Sequence, residues 1–272
     1  MAESRLRAWL AGSASSLVWV EFEAYARRVF AAANADWYGD ATSYAAALGQ
    51  AQAALGSDCT SFDLLAPYLT QEPQGKDALL EALGAPATAA FIDQVLDALL
   101  HRHAGKLDLV LLVRAPADLL GRVAAPSFDD LDDIALALTE LIRRHAQRPL
   151  AGLVIDKQHG ASLSADEVDA YEPLIGAARH YHWVTGCAFA AVRDGTATAG
   201  SLDLDLLLFP ETPLERLPEA SAKLRYAGGL DSAFWAGHGA GSRRLAPALA
   251  YGRIPALAEP ETVLSALREL RT

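Results

Sequence analysis

Eight short runs of apolar, β-favouring residues constrain this chain more than any other feature. They are SLVWVEF (16–22), SDCTSFDLL (57–65), LDLVLLV (107–113), LAGLVID (150–156), HWVTGCAFA (182–190), LDLDLLLF (202–209), AKLRYAG (222–228) and APALAYG (246–252). Several are near-continuously apolar, as expected of strands buried on both faces in a parallel sheet covered by helices. Helical patterns separate many of them. Residues 23–55 place Tyr25, Val29, Tyr44 and Leu48 at helical spacing, and residues 76–103 read as two helices broken near Gly84 and Pro86. Residues 127–145 open on Ser127 and an acidic turn and close on Arg143, Arg144 and His145, the charge order a helix dipole favours. Two further helices follow at 166–181 and 260–270, the second with Pro260 in its first turn.

Eight strands with intervening helices predict an α/β protein, a single (β/α)8 TIM-like barrel over residues 1–272 with a helical segment at its N-terminus. The alternative is an open doubly wound α/β sheet. Two connections resist the barrel: residues 190–202 carry a D-G turn with no helical pattern, and residues 230–245 are poor in helix signals.

Composition narrows the function classes. The 272 residues are 52% hydrophobic, enough for a large core, and carry a formal net charge of −11, which argues against nucleic acid. No apolar run has membrane-spanning length, and the N-terminal residues lack the continuous apolar stretch of a signal peptide. Cys59 and Cys187 are far apart and form no CxxC, which fits a reducing cytoplasm. The expected partner is a small anionic molecule, with a homodimer as the assembly to test.

In (β/α)8 barrels chemistry sits at the C-terminal ends of the strands. Those ends supply Glu21, Glu23, Tyr25 and Arg27 after strand one; Asp58, Cys59 and Asp63 in strand two; and Arg114 after strand three. Asp156, Lys157, Gln158 and His159 follow strand four, Glu211 strand six, Asp231 and Trp235 strand seven, and Arg253 strand eight. Asp156, His159, Glu211 and Asp231 are the catalytic candidates, since acid, base and cation together suit proton transfer. For DKQHG (156–160) a structural loop with an aspartate cap is the competing reading.

GHGAGSRR (237–244) falls between strands seven and eight, where glycine-rich backbone binds anions in many barrels. His238, Gly239 and Gly241 would line that loop, and Arg243 or Arg244 would grip a carboxylate or phosphate. A mobile turn with solvated arginines is the plainer alternative. Cys187 reads first as a buried core thiol. The DDxxD pattern in FDDLDD (128–133) reads as a solvated first helical turn, and His101 and His103 as helix-end residues. No metal is expected; zinc is the alternative cofactor, and His159, Cys187 and Glu211 would supply its ligands, with Asp231 nearby, although no tight ligand spacing supports that set.

Four segments carry a family resemblance: SRLRAWLAGSASSLVWVEFEAY, LVLLVRAPADLLG, DAYEPLIGAARHYHWVTGCAF and YGRIPALAEPETVLSALREL. Together they resemble the uroporphyrinogen decarboxylase-like and cobalamin-independent methionine synthase-like superfamily, as a divergent member. The resemblance implies a (β/α)8 barrel with a cleft at the strand C-termini, and a lyase or decarboxylase acting on a small anion. A zinc- or corrinoid-linked methyltransferase is the second activity it implies, and a non-catalytic binding barrel the third reading. The chain departs from the decarboxylases in having only YARRVF, with Arg27 and Arg28, in place of an arginine-rich RQAGR-type loop. It departs from the zinc methyltransferases in spacing His182 and Cys187 five apart, which on one strand would put them on opposite faces.

Overall fold

A computed structural model describes residues 4–13, 16–33, 35–121, 126–159, 162–190, 202–217, 224–238 and 249–271. Eight parallel strands close into one barrel in sequence order. They are β1 (Leu17–Glu21), β2 (Cys59–Asp63), β3 (Asp108–Arg114), β4 (Gly152–Lys157), β5 (Val184–Phe189), β6 (Leu206–Phe209), β7 (Arg225–Gly229) and β8 (Leu249–Arg253). Each lies within one of the eight apolar runs, apart from one residue past the end of the third, fourth, seventh and eighth, so the closed barrel holds and the open sheet does not.

The helices are α1 (Arg5–Leu10), α2 (Glu23–Phe30), α3 (Ala41–Leu55), α4 (Lys76–Leu83), α5 (Pro86–Arg102), α6 (Pro116–Leu119), α7 (Phe128–Arg143), α8 (Ala165–His180), α9 (Ser232–Trp235) and α10 (Pro260–Leu270). Local chemistry sets their ends. Ser127 and Ser164 each form a capping box, with Asp130 and Glu167 returning the bond. The acidic turn of α7 is occupied by a lysine: Lys76 of α4 meets Asp130 at 2.9 Å and Asp133 at 2.7 Å. No single described helix is long and apolar enough to cross a membrane; α4 and α5, bent by 52°, pass that test only as a pair, and the inner face of α5 is buried. The link at 191–201 lies outside the described residues.

The barrel is filled by alternate residues of its strands, among them Trp19, Val110, Leu112, Val154, Leu208 and Tyr251. Helix α1 closes its N-terminal end with Leu6 and Trp9. Asp108 fixes that plug, its carboxylate accepting from the Ser4 hydroxyl and the Leu6 amide, both at 2.7 Å. The other strand residues face outward into the layer beneath the helices, where Ile155, Cys187 and Leu207 pack.

One seam differs from the rest. β1 and β8 register over five pairs, from Leu17 against Leu249 to Glu21 against Arg253. β1 and β2 share a single register pair, Trp19 against Cys59. Side chains complete this seam in place of a full ladder. Ser57 Oγ accepts from the Val20 amide at 3.0 Å and donates to the Val18 carbonyl at 2.9 Å, Asp58 accepts from the Val18 amide at 3.0 Å, and Thr60 donates to the Val20 carbonyl at 3.3 Å.

Close packing also dictates one glycine. A Cβ on Gly252 of β8 would lie 2.2 Å from the Leu230 carbonyl oxygen and 2.5 Å from Leu230 Cβ, and the backbone atom cannot swing aside. Gly252→Ala is therefore expected to destabilise the protein by about 1–3 kcal/mol, read as a lower urea midpoint at unchanged slope. A variant as stable as the parent would contradict the strand packing described.

Candidate active site at the barrel mouth

At the C-terminal end of the barrel, the inward-facing alternation brings Glu21, Ser61, Asp63, Arg114, Asp156, Tyr251 and Arg253 to one opening. Arg253 is its centre. Its Nε donates to Glu21 Oε2 at 2.7 Å, and its Nη2 donates to Asp156 Oδ1 at 2.6 Å. Since β4 stands opposite β8, this guanidinium spans the lumen. Gln158 Nε2 donates to the other Asp156 oxygen at 3.0 Å, and the Tyr251 hydroxyl donates to Glu21 Oε1. Below them Trp19 Nε1 donates to Ser61 Oγ at 3.0 Å. Burial pushes the Glu21 carboxyl above its ordinary range, against the pull of Arg253.

Asp63 is also raised by burial, while the Arg114 charge and the amides of Leu65 and Ala66 pull it down. Arg114 is half-buried. Its Nε has no hydrogen-bond partner, and its guanidinium forms no ion pair with any described residue. The mouth thus holds two cations in different conditions, Arg253 hydrogen-bonded to two carboxylates, and Arg114 acting on Asp63 through charge alone with its Nε left without a hydrogen-bond partner.

Beside the mouth, Glu23 sits in an aromatic cage: Trp37 Nε1 donates to its Oε1 at 3.3 Å, and the Tyr38 hydroxyl at 3.1 Å. Burial, with the neighbouring Asp63 charge, pushes Glu23 up to about 7, and the cage donors only partly offset this. Between the unfolded pKa and this value the native state holds a proton that the unfolded chain releases, so stability falls as pH rises from about 5 to about 7. Comparison of the parent with Glu23→Gln isolates this term from other titrating groups. The variant is expected to lose a slope of up to about 1.4 kcal/mol per pH unit in that window, measured from urea midpoints across pH. Identical profiles would place the Glu23 carboxyl in water.

A second cluster faces outward from β4. Lys157 Nζ lies 2.5 Å from Glu167 Oε1 and 3.6 Å from Asp118 Oδ1, and all three side chains are at most 8% exposed. Tyr171 donates to Glu167 at 3.1 Å. The other Asp118 oxygen accepts from the amides of Gln158 at 2.6 Å and His159 at 3.3 Å, holding the loop after β4. His159 Nδ1 stands 3.4 Å from Asp118 Oδ1, with nearly half its side chain exposed at the rim.

The remaining expectations divide. Glu211 is exposed near Arg253, and Asp231 caps α9 by accepting from the Phe234 amide at 3.0 Å. His238 is exposed, and Arg27 stacks over Trp37 at 6.0 Å. Four expectations require correction. Tyr25 is 2% exposed in the outer core, and Trp235 is equally buried, against Phe234. Lys157 alternates away from Asp156 and faces α8. Cys187 registers with Ile155, faces the helices, and has its thiol pushed well above its ordinary range by burial, so it does not meet His159 or Glu211. His182 precedes β5 in a turn of positive φ (61°), so strand alternation does not govern it. Among the described residues no group of three or more His, Cys, Asp or Glu is placed to hold a metal ion. Gly239, Gly241, Arg243 and Arg244 lie outside the described residues. Sequence reading missed Ser61, Asp118, Glu167 and Tyr251; of these, Tyr251 had a signal in its two-residue offset from Arg253.

No protein-family model matches the chain, and no curated protein does. Among solved structures it resembles the apo form of the homocysteine methyltransferase MmuM from Escherichia coli, with 14% identity and a TM-score of 0.50 over 97% of this chain and 98% of that one. It also resembles the pneumococcal virulence factor StrH, with 9% identity and a TM-score of 0.50 over 93% of this chain and 82% of that one. At these identities the shared property is the barrel fold.

Proposed function

We propose that the chain is an enzyme of the lyase or decarboxylase type that binds a small anionic molecule at the barrel mouth and moves a proton there. The observation that carries this reading is Arg114, a guanidinium with an unpartnered Nε beside Asp63, in an opening whose other cation is already hydrogen-bonded to two carboxylates. A substrate carboxylate would complete it bidentately. His159, oriented by Asp118, is the rim group suited to proton transfer, and Glu23, with a pKa near neutrality, is the second. Arg243 and Arg244 of the glycine-rich stretch are further candidate cations for the anion, and no cofactor is invoked.

Titration with a panel of small mono- and dicarboxylates tests the anchor. Arg114→Ala should weaken binding by about ten- to a hundredfold, the equivalent of one charged hydrogen-bonded contact, in protein shown to be folded by its cooperative urea transition. Arg243→Ala and Arg244→Ala in the same titration report on the loop. If the parent takes up no carboxylate, or Arg114→Ala binds as the parent does, the anionic reading fails. Loss of turnover with binding kept in His159→Asn separates an enzyme from a binding barrel.

Methyl transfer is the second reading, supported by the end-to-end likeness to the homocysteine methyltransferase. The zinc set it would use does not fit here, because Cys187 faces away from the mouth. Stoichiometric zinc copurifying with the protein and lost in Cys187→Ser would reverse the order.

A further inference from the structure

A cavity of about 850 Å³ runs from the N-terminal end of the barrel through the layer between the strands and helices α3 and α5, and its far end reaches Ser61 and Glu23 at the edge of the mouth. That volume is within the range of small-molecule sites. Leu48, Leu99, Leu100, Leu109 and Trp183 give it a largely apolar wall.

Two polar atoms in this wall have no hydrogen-bond partner among the described residues: Gln52 Oε1 and His103 Nε2. Gln52 is 8% exposed, and its orientation is fixed because its Nε2 donates to the Ser57 carbonyl at 2.6 Å, leaving the oxygen without a partner. Burial and the nearby charges of Arg102 and Lys106 lower the His103 pKa, so its ring is neutral near pH 7. Of the charged groups in the same wall, Arg5 is engaged with Asp58 at 2.8 Å, Arg148 with Asp97 at 2.8 Å and Asp108 with α1, while Arg7 is exposed to solvent. Around Gln52 and His103 the unmet demand is for neutral hydrogen bonds within an apolar surface. Buried polar atoms are rarely left unsatisfied, so a cavity of this kind is matched by a molecule that supplies the missing groups.

We infer that this cavity is a second binding site, taking a small, neutral, mainly apolar molecule whose hydrogen-bond donor meets Gln52 Oε1 or His103 Nε2. It occupies the Gln52 and His103 end of the cavity, whose other end meets Ser61 and Glu23.

Indole and 1-methylindole test the inference on the full-length protein. They share an apolar ring system, and only the first has an N–H donor. Indole is expected to raise the thermal midpoint with concentration and to shift the Gln52 side-chain amide and His103 ring resonances, and to bind about five- to tenfold more tightly than 1-methylindole, as one buried neutral hydrogen bond allows. The preference for indole should disappear in the double variant Gln52→Leu/His103→Leu while both probes still bind, and Leu100→Trp should fill the cavity and abolish binding of both. Arg114→Ala should leave indole binding unchanged, which keeps this site's failure distinct from that of the mouth. The inference is overturned if indole does not bind, if its shifts map to the mouth, if the two probes bind equally, or if folded Leu100→Trp protein binds as the parent does.

Discussion

Arg253→Met is expected to destabilise the protein by about 3–5 kcal/mol, the usual result of removing one partner from a buried ion pair and leaving the other charge uncompensated. For a chain of this size that is a fall in thermal midpoint of roughly 6–20 °C. The substitution deletes the bonds to Glu21 and Asp156 together and leaves two buried carboxylates facing one lumen. The sign of the pH effect follows. Burial already holds the Glu21 carboxyl above its unfolded value, and losing Arg253 raises it further. A carboxyl raised in the folded state weakens folding above its unfolded pKa, and the weakness is relieved as pH falls through the folded value. The deficit of Arg253→Met should therefore shrink as pH falls from neutrality toward the ordinary carboxylate range. Arg253→Lys should be intermediate, since one ammonium cannot reproduce the fork that reaches both carboxylates. A loss under about 1 kcal/mol with no pH dependence would show that the guanidinium is solvated and braces nothing.

Lys157→Met is the second large effect, again about 3–5 kcal/mol. Methionine matches the lysine stem but leaves Glu167 and Asp118, both nearly inaccessible, without their cation. Neutralising one of them should restore part of the loss. Glu167→Gln in the Lys157→Met background removes one uncompensated charge, keeps an oxygen for the Ser164 amide and turns its NH2 toward the Tyr171 oxygen, and is expected to be more stable than Lys157→Met alone. Urea unfolding of the single and double variants measures this. A double variant less stable than either single one would mean that Glu167 serves the fold through contacts other than this ion pair.

The barrel was legible because strands covered on both faces tend to be apolar throughout, and that signature survives in most runs from residues 16–22 to residues 246–252, most weakly in SDCTSFDLL (57–65). The positions of Glu21, Asp156 and Arg253 at strand ends were legible for the same reason, as polar residues closing apolar runs. What sequence could not assign was the face. Asp156 and Lys157 are adjacent, and a single step along β4 sends one into the lumen and the other beneath α8. Cys187 followed the same rule, since its register with Ile155 decides its side and no local pattern announces register. Asp118 was hidden in the short helix α6 after β3, where its contacts to Gln158 and His159 depend on a strand some forty residues on. Glu23 looked like an ordinary first-turn acid of a helix; its cage comes from Trp37 and Tyr38, beyond that helix.

The incomplete β1–β2 ladder has a consequence for how the cylinder yields. Closure between the first and last strands, the join that brings the two ends of the chain together, has a full set of register pairs, while the weakest join lies between consecutive strands and rests on Ser57, Asp58 and Thr60. The wall is therefore a slit tube: opening is expected first where β1 parts from β2, exposing two strand edges whose backbone groups Ser57 and Thr60 already bond. Gln52, which ties α3 to the Ser57 carbonyl, anchors one lip of the slit, so the tube's resistance to opening is set partly by a helix outside the sheet.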